Sequence, residues 1–314
     1  MTPDGTSKAP RTVRFVERAA CPCCTGTTAR SLWSGRFSDP EVAHLMAQFH
    51  YNADLGAELG DQPFELVRCA DCGLTYHRLV LDDASVPLLY GHWIDAGQVA
   101  RFEAAHTRKR SDPFESSVQR LKLVLRLRHL VQGNAPDAAP IRLMDFGCGD
   151  GEVLGAARAL GMQAIGIDIS ASRADAARIS GGLVYPDLAA FDDLGGGKVH
   201  AVVLSQVLEH VSDPVGLLQQ IAQCLLPGGV LFVAVPNCAG LSVPRSFDEF
   251  HHLQPLEHLN AFTPASLRAV AARAGFRPLR RPTAIVATRL PAMLRAMVNL
   301  VYQPDTTDQF FRLG

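Results

Sequence analysis

Three glycines at alternate positions, Gly147, Gly149 and Gly151, lie between an apolar stretch, Ile141 to Phe146, and a helical pattern, Glu152 to Leu160. The order is strand, tight turn and helix. Glycines at such a turn let the backbone approach a ligand, and the first turn of the helix presents free N–H groups to it. The stretch therefore predicts a nucleotide-binding loop.

Two carboxylates accompany the loop and narrow the choice of nucleotide. Asp145 precedes the first glycine by two residues, and the glycine spacing differs from the Gly-x-Gly-x-x-Gly of dinucleotide-binding proteins. Asp168 ends the next apolar stretch, where a carboxylate can accept hydrogen bonds from both hydroxyls of a ribose. The alternative is that Asp168 or Ser170 caps a helix predicted at 171–180.

The segment from Asp145 to Gly151 resembles the first motif of class I S-adenosylmethionine (SAM) dependent methyltransferases. Three further segments resemble that family: Tyr185-Pro186-Asp187-Leu188, the Leu208-Glu209-His210 segment, which is similar to the ubiquinone O-methyltransferase group, and the turn Leu225-Leu226-Pro227-Gly228-Gly229. The resemblance implies SAM as cofactor, with contacts from Asp145, Gly147, Cys148, Gly149, Gly151, Asp168, Ile169, Asp187, Leu188 and Gln206. Asp192 or Asp193 could take the place of Asp187 beside the adenine.

From Ile141 onward, short apolar stretches alternate with helical patterns, which is typical of a parallel sheet covered by helices on both faces. The predicted strands are 141–146, 163–168, 182–185, 199–204, 230–235, 276–281 and 284–289, and the predicted helices are 151–160, 171–180, 213–225 and 264–274. The fold class is therefore α/β: a Rossmann-like, seven-stranded, mostly parallel sheet, with a smaller N-terminal zinc-binding region that also carries helices. The last two strands form a hairpin-like pair that resembles the antiparallel end of the methyltransferase sheet.

Two Cys-x-x-Cys pairs, Cys21 with Cys24 and Cys69 with Cys72, predict a zinc site. Four thiolates close a tetrahedral site and leave no open position, so we assign the metal to folding and not to catalysis. Cys23 leaves the choice of ligand in the first pair open. The alternatives are reduced thiols packed as small hydrophobic groups, or a redox pair. The insert between the pairs, 39–60, has the periodicity of a helix.

A long loop, 236–263, follows the fifth predicted strand, and long loops without a regular pattern are usually functional. It contains His251, His252 and His258, and His210 follows the fourth strand. A histidine titrates near neutral pH and could remove the proton of a hydroxyl acceptor. We rank His258 first, then His252, His251 and His210. Alternatively, His258 ties the loop to the sheet, or the three loop histidines hold a second metal.

The organisation follows from these patterns. We expect a disordered tail at 1–12, the zinc-binding module at 13–95, a helical connection or lid at 96–135, the SAM-binding domain at 136–290 and a C-terminal extension at 291–314. Helical patterns at 85–110 and 114–131 form the connection. The second has a basic side, which a solvated face explains better than nucleic acid: Arg120, Lys122, Arg126 and Arg128.

Apolar residues make up 47% of the chain, charged residues 19%, and the formal net charge is −1, as in ordinary globular proteins. This charge gives no reason to expect nucleic acid or an anionic membrane as a partner. We see no secretory signal and no apolar run of membrane-spanning length, so we expect a cytoplasmic protein. The oligomeric state stays open, with a homodimer as one option.

We therefore expect a SAM-dependent methyltransferase that acts on a small molecule, at a hydroxyl oxygen, in a biosynthetic pathway of the natural-product kind. N-methylation and C-methylation stay open. So do methylation of RNA or protein with the zinc module as recognition surface, a non-catalytic SAM-binding protein, and an NAD oxidoreductase. The glycine spacing disfavours the oxidoreductase.

Overall fold

The structure is a computed structural model of the chain. It describes residues 13–52, 55–94, 97–99, 101–102, 113–132, 140–170, 181–282 and 305–314, and a few single positions at 175, 177, 178, 294, 297 and 298. The chain forms two compact units. The first is made largely of the N-terminal 110 residues and a later segment, Gly240–Leu259, and the second largely of Ser111–Ala239 and Asn260–Gly314.

The N-terminal part of the first unit consists of short strands and helices. They are β1 (Phe15–Glu17), β2 (Ala29–Arg36), α1 (Pro40–Met46), α2 (Leu55–Leu59), β3 (Pro63–Cys69), β4 (Thr75–His77), β5 (Leu79–Leu81) and α3 (Val86–Leu88), which continues as a π-helical turn, Leu89–Trp93. Strands β2, β3 and β4 pair antiparallel in the order β4-β3-β2, and β1 pairs with β5. Aromatic side chains form part of the core of this unit. The Phe64 ring contacts the rings of both Trp33 and Phe37.

Two predicted helices of this unit are interrupted, and the prediction of single helices at 39–60 and 85–110 was wrong. Helix α1 ends at Met46, and the turn after α3 ends before Ile94, which has extended backbone angles. Tyr51 and Ile94 form an antiparallel bridge. The bridge takes up backbone groups that a continuous helix would need, so a contact distant in sequence overrides the local helical period.

The rest of the chain contains α4 (Pro113–Val131), β6 (Arg142–Phe146), α5 (Glu152–Ala159), β7 (Gln163–Ile167), β8 (Leu183–Tyr185), α6 (Leu188–Asp193), β9 (Val199–Ser205), α7 (Pro214–Cys224), β10 (Leu225–Ala234), α8 (Phe247–Leu253), β11 (Asn260–Ala261), α9 (Pro264–Arg273), β12 (Phe276–Leu279) and β13 (Asp308–Leu313). A seven-stranded sheet has the order β12-β13-β10-β9-β6-β7-β8. Neighbours from β10 to β8 are parallel, and β13 is antiparallel to both β10 and β12. The predicted α/β fold class is confirmed.

The antiparallel end of the sheet differs from the prediction. The strand that pairs with β10 and β12 is β13, at the C-terminus, where an extension outside the domain was expected. Its Phe310 and Phe311 are fully buried, and the Phe310 ring lies 4.8 Å from that of Phe232. Because these two neighbouring residues are both buried, the stretch lacks the alternation of apolar and polar residues by which a strand is predicted from sequence. The strand predicted at 284–289 lies outside the described residues.

The loop 236–263 is also more regular than predicted, because it contains helix α8 and the short strand β11. The Ser246 hydroxyl caps α8 by accepting a hydrogen bond from the Glu249 N–H. The helix predicted at 171–180 lies almost entirely outside the described residues. In the part of the chain that the structure describes, no helix has both the length and the hydropathy needed to cross a membrane.

Candidate functional site

The glycine turn follows β6 directly and is bound to the end of β7. The N–H groups of Gly147 and Cys148 both donate to the Ile167 carbonyl, at 2.7 and 3.0 Å. Gly151 has a φ of 78°, and a Cβ there would lie 2.9 Å from the Ala177 Cα, so only glycine fits. A Cβ at Gly149 would meet no described atom within 4 Å. The middle of the turn therefore has room on the side where a ligand would approach.

Asp168 is held over this turn by two backbone N–H groups. Its Oδ2 accepts from Gly149 and its Oδ1 from Ser170, both at 2.8 Å. An ionised carboxylate offers about four acceptor positions, so each oxygen keeps capacity for another donor. The bond to Ser170 is a turn two residues long, and the helix that Asp168 was alternatively expected to cap is not described. Both oxygens could therefore accept a hydroxyl, and the ribose contact of Asp168 stays a prediction.

Asp145 is buried at the end of β6, below the turn. Burial, followed by the negative charge of Asp168, raises the pKa of its carboxyl to about 7. The nearby Cys148 thiol is also buried, and burial followed by the charges of Asp145 and Asp168 raises its pKa to about 12. A cationic group bound here would relieve the repulsion between the two carboxylates. Cys148 stays a neutral thiol and not a nucleophile.

Asp187, which is predicted to contact the adenine, also has a structural role that was not predicted. Asp187 is the N-cap of α6, and its Oδ1 accepts from the Ala190 N–H at 2.7 Å. Leu188 is half-buried, and Ile169 is 76% exposed. Capping uses one carboxylate oxygen of Asp187, so the second oxygen is the one that could meet a ligand.

Gln206 follows the last residue of β9 and has a left-handed backbone, with a φ of 56°. Its N–H donates to the Ala234 carbonyl at 2.8 Å, which joins the ends of β9 and β10. The next side chain, Val207, lies where a Cβ at Gly147 would be. A glutamine in this region costs about 1–3 kcal/mol, and such strained residues cluster at functional sites. The sequence suggested Gln206 from its place after a strand, but the backbone strain has no sequence signature.

Glu209 lies on the short 3₁₀ turn Leu208–His210 and is 1% exposed. Within the described part of the chain, neither carboxylate oxygen has a hydrogen-bond partner, and burial raises the pKa of Glu209 to about 8. The turn itself is held by Asn260, whose Nδ2 donates to the Leu208 and Val211 carbonyls. Anchoring the backbone is thus done by Asn260. His210 stands beside Glu209, with Nε2 4.0 Å from Oε1.

The other three histidines predicted as bases belong to the first unit. His251 and His252 lie on α8, and the centroid of the His251 ring is 5.7 Å from that of His258. His252 is tied to its own helix, because its Nδ1 contacts the Asp248 carbonyl at 2.6 Å. His258 is buried. The structure therefore places His251 and His258 side by side and gives His252 a local backbone partner.

The sulfur atoms of Cys21, Cys24, Cys69 and Cys72 all lie within 4.8 Å of one another. Those of Cys21 and Cys72 are 3.5 Å apart. Zinc–sulfur bonds of about 2.3 Å in a tetrahedron place the sulfurs about 3.8 Å apart, so the group has the size of a four-thiolate site. Of the first three cysteines, the structure brings Cys21 and Cys24 to this group and not Cys23.

Each pair lies on a tight backbone turn. In the first, the Thr25 N–H donates to the Cys21 carbonyl at 2.9 Å, and in the second, the Gly73 N–H donates to the Cys69 carbonyl at 3.2 Å. Both Thr25 and Gly73 have left-handed backbones, with φ of 60° and 75°. This turn directs both thiols of a pair to the same side.

Comparison with known proteins identifies the family to which the chain belongs. The model of the family described as "Methyltransferase domain" matches residues 119–280, just over half of the chain. A ubiquinone biosynthesis O-methyltransferase of Xanthomonas oryzae pv. oryzae (strain PXO99A) is 34% identical over 108 residues, which are 32% of this chain and 45% of that protein. Its counterpart in Thiobacillus denitrificans is 33% identical over 154 residues, which are 46% of this chain and 64% of that protein. The chain thus spans less than two thirds of the length of these relatives.

Among solved structures, the plantazolicin methyltransferase BamL, in complex with a triazolic desmethylPZN analog and SAH, aligns with a TM-score of 0.48 and 13% identity. The alignment covers 72% of this chain and 91% of that one.

Proposed function

The chain belongs to the methyltransferase domain family, the SAM-dependent methyltransferases, and we propose that its own reaction methylates a small molecule at a hydroxyl oxygen. The assignment of SAM as cofactor is carried by the hydrogen bond between the glycine turn and the Asp168 carboxylate. A carboxylate fixed by the Gly149 and Ser170 N–H groups has the orientation needed for the two hydroxyls of a ribose.

The other contacts of SAM follow from the same geometry. Asp145 would lie at the amino-acid end, where an ammonium group offsets the charge of two neighbouring carboxylates. Ile169 and Leu188 would cover the two faces of the adenine, and burial of the exposed Ile169 side chain would add to binding. Gln206 would face the methionine part. When bound, SAM supplies the methyl group as part of a sulfonium electrophile.

The protein's task in such a reaction is mainly alignment, which can contribute roughly 7–11 kcal/mol to lowering a barrier. A hydroxyl acceptor also needs a base, which adds roughly 10²–10⁴-fold. We keep His258 as the first candidate, followed by His252, His251 and His210. The carbonyl contact of His252 through Nδ1 leaves only its Nε2 for this role.

We propose that Cys21, Cys24, Cys69 and Cys72 hold a structural Zn²⁺. The sulfur spacing and the two matching turns support this assignment. Four thiolate ligands leave no position for a water or a substrate, so the metal would contribute to folding and take no part in the reaction.

Helix α4 supports a small-molecule acceptor over RNA. Its basic side chains are engaged within the second unit: Arg120 pairs with Glu152, Lys122 is buried, and Arg126 donates to the Pro282 carbonyl. Such side chains do not form the exposed basic surface that phosphate contacts require.

The test is calorimetric titration of the protein with SAM, with its demethylated product and with NAD. We expect SAM to bind and NAD to give no heat. Asp168→Asn should weaken SAM binding roughly 10- to 100-fold, since hydrogen bonds to a charged group are lost. Asp175→Asn, an exposed carboxylate of the same unit, is the matched control and should bind SAM as the wild type does. No SAM heat, or unchanged affinity in Asp168→Asn, would contradict the proposal.

A further inference from the structure

A histidine that the sequence did not single out forms a pair with a buried carboxylate in the first unit. The His50 Nε2 lies 3.0 Å from Oε1 of Glu257, and the Tyr51 hydroxyl donates to the same oxygen at 2.5 Å. The Glu257 side chain is 9% exposed, whereas the His50 side chain keeps 17% of its surface exposed. The carboxylate is therefore the inner partner, and the imidazole is the one that solutes can reach.

The contacts fix the tautomer of His50. A carboxylate oxygen that receives two hydrogen bonds acts as an acceptor, so the imidazole must donate from Nε2. A neutral His50 then has its lone pair on Nδ1. The buried carboxylate thus fixes which nitrogen of His50 can accept a hydrogen bond from a ligand.

The turn that carries Glu257 is itself held in place. The Gln254 side-chain oxygen accepts from the N–H groups of Leu256 and Glu257, at 3.1 and 3.2 Å, and Gln254 is 1% exposed. Burial, followed by the Glu257 charge, raises the pKa of Tyr51 well above its usual value, so Tyr51 keeps its proton and stays a donor. Glu257 therefore has little freedom to leave His50.

Aromatic rings surround the pair. The buried Phe49 ring lies at the centre, 5.5 Å from Phe102, 4.9 Å from Phe247 and 5.4 Å from His251. The centroid of the His50 ring is 5.5 Å from that of Phe102. Phe102, Phe247 and His251 are each half-buried, so each residue keeps part of its surface exposed. Faces and edges at these separations suit stacking with a further ring.

We propose that His50 and these rings form a binding site for the methyl acceptor, and that the acceptor is an aromatic molecule whose hydroxyl donates to Nδ1 of His50. Glu257 is the positioning residue, which holds the imidazole through Nε2. The assignment rests on the proposed function for the identity of the ligand as a methyl acceptor, but the binding site stands on the geometry of the first unit alone.

Phenol is the probe, and anisole, which has the same ring and no hydroxyl proton, is its chemical control. Saturation-transfer NMR with the intact 314-residue chain measures the affinity for both. A second histidine–glutamate pair in the same unit gives the matched protein control, because His92 Nε2 contacts Glu58 Oε1 at 3.3 Å. The variants are His50→Gln, Glu257→Gln and His92→Gln. Thermal melting and SAM titration on each show whether both the fold and the cofactor site are intact.

We expect phenol to bind more tightly than anisole to the wild type, and His50→Gln to lose about tenfold or more in phenol affinity with little change for anisole. Glu257→Gln should lower phenol affinity too, because a neutral amide oxygen accepts more weakly than a carboxylate and holds the imidazole less firmly, and His92→Gln should match the wild type. Equal phenol binding in the wild type and His50→Gln would overturn the site, as would equal loss in His92→Gln.

The outcomes separate this inference from the proposed function. A wild type that binds SAM but neither phenol nor anisole would overturn the aromatic site and leave the methyltransferase proposal standing. A wild type that binds phenol through His50 but not SAM would support the site and contradict the proposed reaction.

Discussion

Replacement of Asp145 by asparagine is expected to stabilise the SAM-free protein and to weaken SAM binding. Asp145 is buried beside Asp168, and both its burial and this neighbour disfavour its ionised form. Asparagine has nearly the same shape and carries no charge at any pH. The same change also removes the negative charge that we propose to meet the ammonium group of SAM.

The magnitude follows from the pKa. Folding raises the pKa of Asp145 from 3.8 to about 7, and each unit corresponds to about 1.4 kcal/mol. At this site the folded protein therefore binds more protons than the unfolded chain between these two pH values, so the contribution of Asp145 to stability is greatest below pH 3.8 and falls as the pH rises through 7. Above that pH, ionisation of Asp145 lowers the free energy of unfolding by roughly 4 kcal/mol.

Urea unfolding of the wild type and Asp145→Asn at several pH values measures this effect. The free energy of unfolding of the variant minus that of the wild type should grow from about pH 4 and level off above about pH 7. Asp193→Asn, an exposed carboxylate in the same unit, should follow the wild type. Other titrating groups are common to all three proteins, so the differences isolate Asp145.

SAM binding gives an independent reading of the same residue. An ammonium group favours the ionised carboxylate, so binding releases a proton, and wild-type affinity should rise with pH up to about 7. Asp145→Asn should bind more weakly and lose this rise. Parallel stability curves for the wild type and the variant, together with equal SAM affinities, would refute the assigned electrostatics.

Three further outcomes are expected. Metal analysis should find about one zinc per chain, and a double variant with Cys69→Ser and Cys72→Ser should lose it and melt at lower temperature; a folded wild type without metal would contradict the site. Gln206→Gly should raise the free energy of unfolding by up to about 1 kcal/mol, because glycine adopts a φ of 56° without strain; a lower melting temperature would contradict this. Burial lowers the pKa of His77 from 6.5 to about 4, so the wild type should lose stability as the pH falls between these values. The variant His77→Gln can still donate to the Leu253 carbonyl and should lose less stability over this range. Equal loss of stability in both proteins, measured by urea unfolding, would contradict this role of His77.

The parts of the cofactor site that could be predicted from the sequence are those that lie at the ends of strands. In a parallel sheet the strand ends meet at one edge, so the strand pattern alone places Asp145 and Asp168 near the glycine turn. The structure adds how they meet, through the bond from the Gly149 N–H to the Asp168 carboxylate. The hydrophobic periodicity of the two strands does not predict which backbone group at the end of one strand meets a side chain at the end of the other.

The first unit was harder to predict, because its contacts join distant segments. Tyr51 ends a helical pattern since it pairs with Ile94, and its hydroxyl binds Glu257, more than two hundred residues later. His50 lies within the stretch 39–60 that was predicted to be a single helix, and no role was predicted for it. The sequence around His50 does not indicate that its imidazole contacts the carboxylate of Glu257, which lies far along the chain.

The sequence by itself determined the alternation of strands and helices, the glycine turn and the two cysteine pairs, because each depends on residues a few positions apart. Tertiary structure alone decided that β13 completes the sheet, that Gln206 has a strained backbone and that the Asp145 carboxyl is protonated up to about pH 7. These properties depend on burial and on neighbours from other strands. Local spacing encodes hydrogen bonds and turns, but the desolvation that shifts a pKa exists only once the chain has packed.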